Sequence, residues 1–422
     1  MSIQLGVITD DFTGASDIAS FMSDNGWRVV QFIGEPSPDA VCPRDADAVV
    51  ISLKSRSAAV DVAVRQSLNC LRWLRETAAA RQIYFKYCST FDSTPRGNIG
   101  QVSDALMSAL EVRQLVHCPA LPQNLRTVIH GHLFVNGVLL NQSGMENHPI
   151  NPMRDANLIR VLSPQIRGAA GSLDLAVIQQ GAAAIERQLA ALATRGIDHV
   201  IADTLTADDL DILAGALTDS PLLAGGSGLA GALAKRLPTI QKHATPAFSV
   251  PARQPAVVLA GSCSVMTNQQ VAHYRQRAAH FMLDVALCIQ AHESYITQVA
   301  DWVEQHLADG LAPLVYATQP PEVIAQIQRQ YGEQRASAAV EDAFARLTTQ
   351  LLARGVTIFI VAGGETSGTV VKQLGVSQLE IGRSIAPGVP WVRDKERGLA
   401  MALKSGNFGT EDFFMSAQEY AE

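Results

Sequence analysis

No stretch of this 422-residue sequence reaches about 18 consecutive apolar residues, the run a membrane-spanning helix needs. The opening MSIQLGVITDDF has neither the basic region nor the long apolar core of a signal peptide. Both absences point to a cytoplasmic protein with no membrane partner. Basic charge is also in deficit, with 33 Lys plus Arg against 40 Asp plus Glu and a formal net charge of −7. That sign is wrong for a general nucleic-acid binder, so any anionic ligand must meet a local positive site. The six cysteines, Cys42, Cys70, Cys88, Cys118, Cys263 and Cys288, form no C-x-x-C pair and no metal-ligand spacing. They read as reduced core thiols. The G-x-x-x-x-G-K-[ST] of a P-loop ATPase is missing, as is a nucleophile elbow with a readable Ser, His and Asp set.

What is present is 47% hydrophobic and 17% charged, enough to bury large cores and too apolar for a disordered or fibrous chain. Short β-branched runs alternate with amphipathic helical stretches, the pattern of α/β layers. Strands are expected at 5–10, 27–33, 48–53, 82–88, 114–119 and 199–205, with helices between them. In TVIHGHLFVNGVLL (127–140), Asn136 and Gly137 lie between apolar runs and predict a hairpin with a tight primed turn. After a helix near 228–236 the text RLPTIQKHATPAFSVPARQP holds four prolines and no usable periodicity, which marks an interdomain connection. Strand and helix alternation then restarts, with strands expected at 255–262, 281–287, 312–318 and 357–364. The expected architecture is two α/β domains with mostly parallel sheets and a ligand cleft between them. The domains are placed at 1–236 and 255–422, joined by a connection at 237–254.

Three groups of residues carry chemistry. In GVITDDFTGASD (6–17) an apolar strand ends in Asp10 and Asp11 and passes through Thr13 and Gly14 into a helix. Ligands of open α/β sheets gather at such strand ends. A plain helix cap at Asp11 or Thr13 is the alternative, although two adjacent aspartates and a glycine exceed what a cap requires. A haloacid-dehalogenase phosphatase would place its aspartates at D-x-D, so that assignment fails on spacing. The second group is basic: Lys54 and Arg56 in LKSRS, then Lys86 and Arg96 in YFKYCSTFDSTPRGN. Cations after apolar strands suit a small carboxylate or phosphate. Lys86 stands out because it interrupts the run Tyr84, Phe85, Tyr87, and the loop after it supplies Asp92, Ser93, Thr94 and Asn98 for a polyol. A plain polar loop remains the alternative there.

The third group is the glycine turns AGGSG (224–228), LAGSCS (259–264), VAGGETSG (361–368) and KSGNFG (404–409). Their backbone N–H groups suit phosphates at helix starts, while tight strand-to-helix packing is the plain alternative. Gly226, Gly228 and Gly231 match G-x-G-x-x-G, but no strand ending in an acidic residue follows, so a dinucleotide fold is not supported. His130 and His132 would face one side of a strand, with no third metal ligand indicated nearby, and His148 is a candidate for the substrate pocket.

Taken together, VITDDFTGASDIASF, LKSRS, IYFKYCSTFDSTPRGNIG, HPINPMRDANL, AGGSGLA, LAGSCS, VAGGETSG and ALKSGNFG resemble the four-carbon acid sugar kinase family. The KYCSTFDSTPRGNIG and HPINPM segments are similar to its branch acting on 3-oxo-tetronate. The resemblance spans nearly the whole chain, in order. It implies an N-terminal domain for the sugar acid, a C-terminal domain for ATP, and phosphate transfer to the C4 hydroxyl. By motif match, nucleotide contacts fall on Ser262, on Gly363, Gly364, Glu365, Thr366 and Ser367, and on Gly406. Arg96 occupies a position expected to vary in the family.

The expected mechanism has Arg56 and Lys86 holding the substrate carboxylate, with Asp10, Lys54, Thr94 and Arg96 alongside. Asp11 and Asp92 bind hydroxyls, and one of them, Asp11 ahead of Asp92, accepts the C4 hydroxyl proton. Mg²⁺ is expected to be held mainly through the ATP phosphates, with no all-protein metal site. A sugar acid and ATP are the expected partners, with a homodimer left open. D-threonate or D-erythronate 4-kinase activity, or a non-catalytic sugar-acid sensor, are the rival readings.

Overall fold

Runs of Val, Ile, Leu and Ala buried on both faces form the central strands of the main sheets, as parallel strands covered by helices require. The computed structural model describes residues 2–147, 151–239, 248, 250, 254–290 and 293–419. His148 lies outside the described residues, as does much of the stretch 237–254. The chain divides into two units, Met1–Thr245 and Pro246–Glu422. Among the described residues no helix is long and apolar enough to cross a membrane.

In the first unit the strands are β1 (Leu5–Thr9), β2 (Val29–Ile33), β3 (Ala48–Ser52), β4 (Gln82–Lys86) and β5 (Leu115–Cys118). A meander follows, made of β6 (Arg126–Ile129), β7 (His132–Val135) and β8 (Val138–Leu139), and then β9 (Ala169–Leu173), β10 (Ile197–Ala202) and β11 (Leu222–Gly225). The main sheet runs β2-β3-β1-β4-β11-β5-β10-β9, and its pairs are parallel. Parallel strands deliver all their carboxyl ends to one edge, with β1 flanked by β3 and β4. The meander has the expected turn at Asn136 and Gly137, with φ of 52° and 80°. A second turn with the same left-handed backbone falls at His130 and Gly131, with φ of 49° and 67°. His130 is therefore a turn residue and does not share a strand face with His132.

The second unit has β12 (Ala256–Ala260), β13 (His280–Met282), β14 (Leu314–Tyr316), β15 (Ile358–Ala362), β16 (Gln378–Ala386), β17 (Val389–Asp394) and β18 (Leu399–Lys404). Their order is β13-β14-β12-β15-β18-β17-β16. The pairs from β13 to β18 are parallel, and β17 is antiparallel to both neighbours. Val258, Ile360, Trp391, Phe413 and Phe414 form part of its core. Each such side chain stabilises the fold by about 1.5–3 kcal/mol on burial, so Ile360→Ala would cost about 2–5 kcal/mol.

Two expectations need correcting. The apolar run 281–287 is not one strand: β13 ends at Met282, and the Asp284 side chain accepts from Ala286 N (2.8 Å) and Leu287 N (3.3 Å), starting the helix Val285–Gln290. The cysteines are free, but they are not uniformly core thiols: Cys70, Cys118 and Cys288 are buried, Cys42 and Cys88 half-buried, and Cys263 exposed.

Candidate active site

Asp10 stitches three strand ends together. Its N–H donates to Lys86 O (3.1 Å), and its carbonyl accepts from Ser55 N (3.0 Å) and Arg56 N (3.1 Å). Arg56 then reaches back, donating from Nε and Nη2 to the two Asp10 carboxylate oxygens at 2.9 Å each. Nη2 also lies 2.7 Å from Asp11 Oδ1, and Nη1 lies 3.5 Å from Asp92 Oδ2. The loop 88–98 carrying Asp92 is tied down by Asn98, whose Nδ2 donates to the carbonyls of Ser55 (2.7 Å) and Ala58 (2.9 Å). Gly97 has no room for a side chain, because a Cβ would overlap Ser93 Oγ. Asp92 Oδ1 accepts from Thr90 Oγ1 at 2.6 Å, which leaves Oδ2 the less occupied oxygen. The cavity enclosed by Asp10, Arg56, Asp92 and Asn98 is about 10 Å³, room for at most one water, so any larger ligand would meet these groups only from their open side.

Asp11 is the N-cap of the helix Phe12–Ser23. Its Oδ1 accepts from Gly14 N (3.1 Å) and its Oδ2 from Thr13 Oγ1 (3.0 Å). Burial works to raise its pKa, but Arg56, Lys86 and these two hydrogen bonds outweigh it and hold the carboxyl below the usual range. Burial wins at Asp10, whose pKa is raised despite Arg56. The Arg56 guanidinium is pushed well above its ordinary value because the aspartates overcome its own desolvation. Lys86 is 2% exposed; its Nζ donates to Tyr87 O (2.9 Å) and lies 3.7 Å from Asp17 Oδ2. The structure thus gathers Asp10, Asp11, Arg56, Lys86 and Asp92. Lys54 and Arg96 are exposed, and half-buried Thr94 spends its hydroxyl on Arg96 N (3.2 Å). The fork of Arg56 is filled by Asp10, so it is not the free carboxylate clamp that its position in the sequence implies.

Asp17 and Ser227 escaped the sequence reading. The Ser227 hydroxyl donates to Asp17 Oδ2, and the carboxyl, raised by burial against the pull of Lys86, links the helices Phe12–Ser23 and Ser227–Arg236 to β4. The turn 224–228 is closely packed: a Cβ on Gly226 would lie 2.6 Å from Pro119 O, and one on Gly228 would lie 2.9 Å from Ala120 O. His130 comes together with Asp174 and Asp203, their ligand atoms within 4.8 Å of one another, although no third ligand was indicated in the sequence. Asp203 accepts three backbone bonds there, from His130 N, Gly131 N and Leu175 N, which accounts for its presence without an ion.

In the second unit the three remaining glycine turns sit on the carboxyl ends of adjacent parallel strands β12, β15 and β18. They interlock. A Cβ on Gly261 would overlap Thr366 Oγ1, one on Gly406 would overlap Ser262 Oγ, and Gly363, at φ 125°, donates its N–H to Lys404 O (2.9 Å). Gly363 is also the N-cap of the helix Gly364–Gln373, and Gly364 and Glu365 are exposed at its start. The Ser367 hydroxyl is buried there without a hydrogen-bond partner among the described residues. Beside these turns a pocket of about 390 Å³ is lined by Ser262, Gly363, Glu365 and the apolar Val285, Ile324 and Val340. That size and lining suit a nucleoside, with its phosphates at a helix N-terminus.

Residues 5–233 match the family described as a sugar-binding N-terminal domain, and residues 257–414 match a nucleotide-binding C-terminal domain. A Pectobacterium atrosepticum protein named 3-oxo-tetronate kinase is 51% identical over 422 residues, 99% of each chain. A Haemophilus influenzae protein of the same name is 50% identical over 414 residues, 98% of this chain and 99% of its own. Among solved structures, a Salmonella typhimurium LT2 protein described as a tRNA synthase gives a TM-score of 0.90 at 47% identity, covering 99% of each chain. A Haemophilus influenzae protein gives 0.82 at 49% identity, covering 99% of this chain and 100% of that one. With both domain families matched in order and full-length kinship at about 50% identity, the chain belongs to the four-carbon acid sugar kinase family, among relatives named 3-oxo-tetronate kinase.

Proposed function

We propose that this kinase phosphorylates the C4 hydroxyl of 3-oxo-tetronate in the cytoplasm, with ATP as donor. The observation that carries the reading is the cation-centred set of aspartates at the ends of β1, β3 and β4, in a chain 51% identical to a 3-oxo-tetronate kinase. Phosphoryl transfer asks little covalent chemistry of a protein; its rate comes from alignment and charge neutralisation. Asp92 is the proton acceptor, because among the described residues its Oδ2 has only the long contact to Arg56, whereas both oxygens of Asp11 are spent on the helix start and on Arg56. Asp10 and Asp11 bind hydroxyls, and the Nη1 edge of Arg56 meets the acid's carboxylate. Lys86 keeps the buried aspartates compensated, and the exposed Lys54 and Arg96 draw the anion in.

In the C-terminal domain, the base and ribose fill the 390 Å³ pocket, and the phosphates lie on the turns of Ser262, Gly363 to Ser367 and Gly406. Glu365 is the exposed carboxylate at those turns, which fits a Mg²⁺ held chiefly by phosphate oxygens and water. When bound, Mg²⁺ neutralises charge on the transferring phosphoryl group. The domain boundaries 1–236, 237–254 and 255–422 belong to the same proposal. A coupled assay of ADP release with 3-oxo-tetronate, D-threonate and D-erythronate tests it. The 3-oxo acid should give the highest kcat/KM by at least tenfold; a preference for either reduced acid would reassign the substrate, and no acid-dependent ADP release would remove the activity.

A further inference from the structure

Lys404 ends β18 and is fully buried at 0% exposure, although lysine is seldom buried without an opposite charge. Its Nζ lies 2.8 Å from Gly406 O, 3.0 Å from Ser405 O and 3.2 Å from Thr267 Oγ1. All three ammonium donors are therefore spent on neutral acceptors. The ring of Phe413 lies 6.0 Å from Nζ. Burial alone lowers its pKa from 10.5 to about 7. The titratable groups on the elements around it add nothing to that shift: His273 on the helix Val265–Tyr274, Glu365 and Lys372 on the helix Gly364–Gln373, Asp394 on β17 and Asp412 before the last helix.

A peptide unit in trans points its C=O and N–H in opposite directions. With the carbonyls of Ser405 and Gly406 turned onto Nζ, the N–H groups of Gly406 and Asn407 are turned away from it. Successive amides held this way make an anion-binding concavity. The same turn is braced against its neighbours: Thr267 Oγ1 donates to Gly406 O (2.8 Å), and Ser264 Oγ caps the helix carrying Thr267. The main chain of Lys404 also holds the Gly363 N–H (2.9 Å). One buried side chain thus fixes the β18 turn of the glycine-turn set, and its backbone fixes the β15 turn.

We propose that Lys404 is a positioning residue of the nucleotide site, whose buried ammonium aims the Gly406 and Asn407 amides at a phosphate, and that ATP binding draws a proton onto it. The inference rests on the nucleotide reading of the C-terminal domain. Burial makes the lysine without an anion give up its proton more readily than an ordinary amine, and a bound polyphosphate favours the charged form. One proton then moves from solvent to Nζ as ATP binds. Uptake approaches one proton per ATP at pH 8, where ATP itself is fully ionised, and affinity falls as pH rises through that range.

Calorimetry of ATP binding to the full chain at pH 8, in Tris and in HEPES, counts the protons, and the same titration with the sugar acid serves as control. Wild type should take up roughly one proton per ATP. Lys404→Met should lose that uptake and at least tenfold in ATP affinity, with sugar-acid affinity changed less than twofold. ATP binding without proton uptake in wild type overturns the proposal, as does a folded Lys404→Met that binds ATP within threefold. A loss of affinity in Lys404→Met without wild-type uptake makes the lysine merely structural and also overturns it. If Lys404→Met does not fold, the wild-type proton count decides, and Thr267→Val, which removes one Nζ acceptor, should shift the pH at which uptake is half complete. Gly364→Val separates the two readings: unchanged ATP affinity in that variant would remove the nucleotide site from these turns, whatever Lys404 does.

Discussion

Asp11 and Asp92 both stand beside Arg56, yet their surroundings fit them for different work. Asp11 caps a helix and is held below the usual carboxylate range, which makes it a poor base. Asn caps a helix about as well as Asp, so Asp11→Asn should keep the fold and most of the rate, whereas Asp11→Ala should lose about 0.5–2 kcal/mol of stability. Asp92→Asn should lower kcat by about 10² to 10⁴, nearer the low end because a metaphosphate-like transfer asks little of its base. Steady-state kinetics and a thermal melt on both variants decide it; a larger kcat loss at Asp11→Asn than at Asp92→Asn would return the base to Asp11. At this scale the sequence showed the polar residues of the cluster, since Asp10, Asp11 and Arg56 follow apolar strands, Lys86 interrupts one and Asp92 lies in the loop after it. It could not show that Arg56 spends its fork on Asp10, nor the bond between Ser227 and Asp17, partners 210 residues apart. Nor could it show that Lys404, at the head of the KSGNFG turn, is buried beside Thr267 and Phe413, which no local pattern brings to it.

At the scale of elements, strands rich in Val and Ile were legible and others were not. The segment AAGSL of β9 has little β-branched character, and LLAG of β11 reads as the lead-in to a glycine turn. The antiparallel β16 and β17 carry Glu380 and Arg393, a cross-strand ion pair at 2.6 Å that interrupts the apolar signal. Four side chains tie β4, β5 and β10 to the helix Ile99–Leu110. Tyr87 O–H meets His117 Nδ1 at 2.9 Å, His117 Nε2 meets His199 Nδ1 at 3.0 Å, and His199 Nε2 meets Asp104 Oδ1 at 3.1 Å. With Asp104 ionised, the chain runs one way: each imidazole is neutral, donates from Nε2 and accepts at Nδ1. Phe91, next to Asp92, packs edge-on against Tyr87 at 5.2 Å, so the chain also steadies the loop 88–98.

Burial lowers the pKa of His117 well below 6.5, with His199 adding to it; burial lowers that of His199 too, against the pull of Asp104 and Asp198. The unfolded chain therefore takes up protons near pH 6.5 that the folded chain refuses. The stability these histidines confer is complete above about pH 6.5 and is lost as pH falls below it. Melting of the first unit should drop between pH 7.5 and 5.5, and in His199→Gln that drop should be smaller. For a unit of this size, about 2–4 °C corresponds to 1 kcal/mol. An equal drop in both proteins would mean that the acid sensitivity lies elsewhere.

For the whole molecule, one principle serves twice: parallel sheets bring polar turns from distant sequence to one edge, aspartates around Arg56 in the first unit and interlocked glycine turns in the second. Each unit matches its own domain family, one sugar-binding and one nucleotide-binding. The most direct test is phosphorus NMR of the product formed from 3-oxo-tetronate and ATP, without proton decoupling. Transfer to C4 predicts one phosphate monoester per ADP, its signal split into a triplet by the two protons on C4. A doublet would place the phosphate on a carbon bearing a single proton, and inorganic phosphate with no ester would mean hydrolysis in place of transfer; either result contradicts the account.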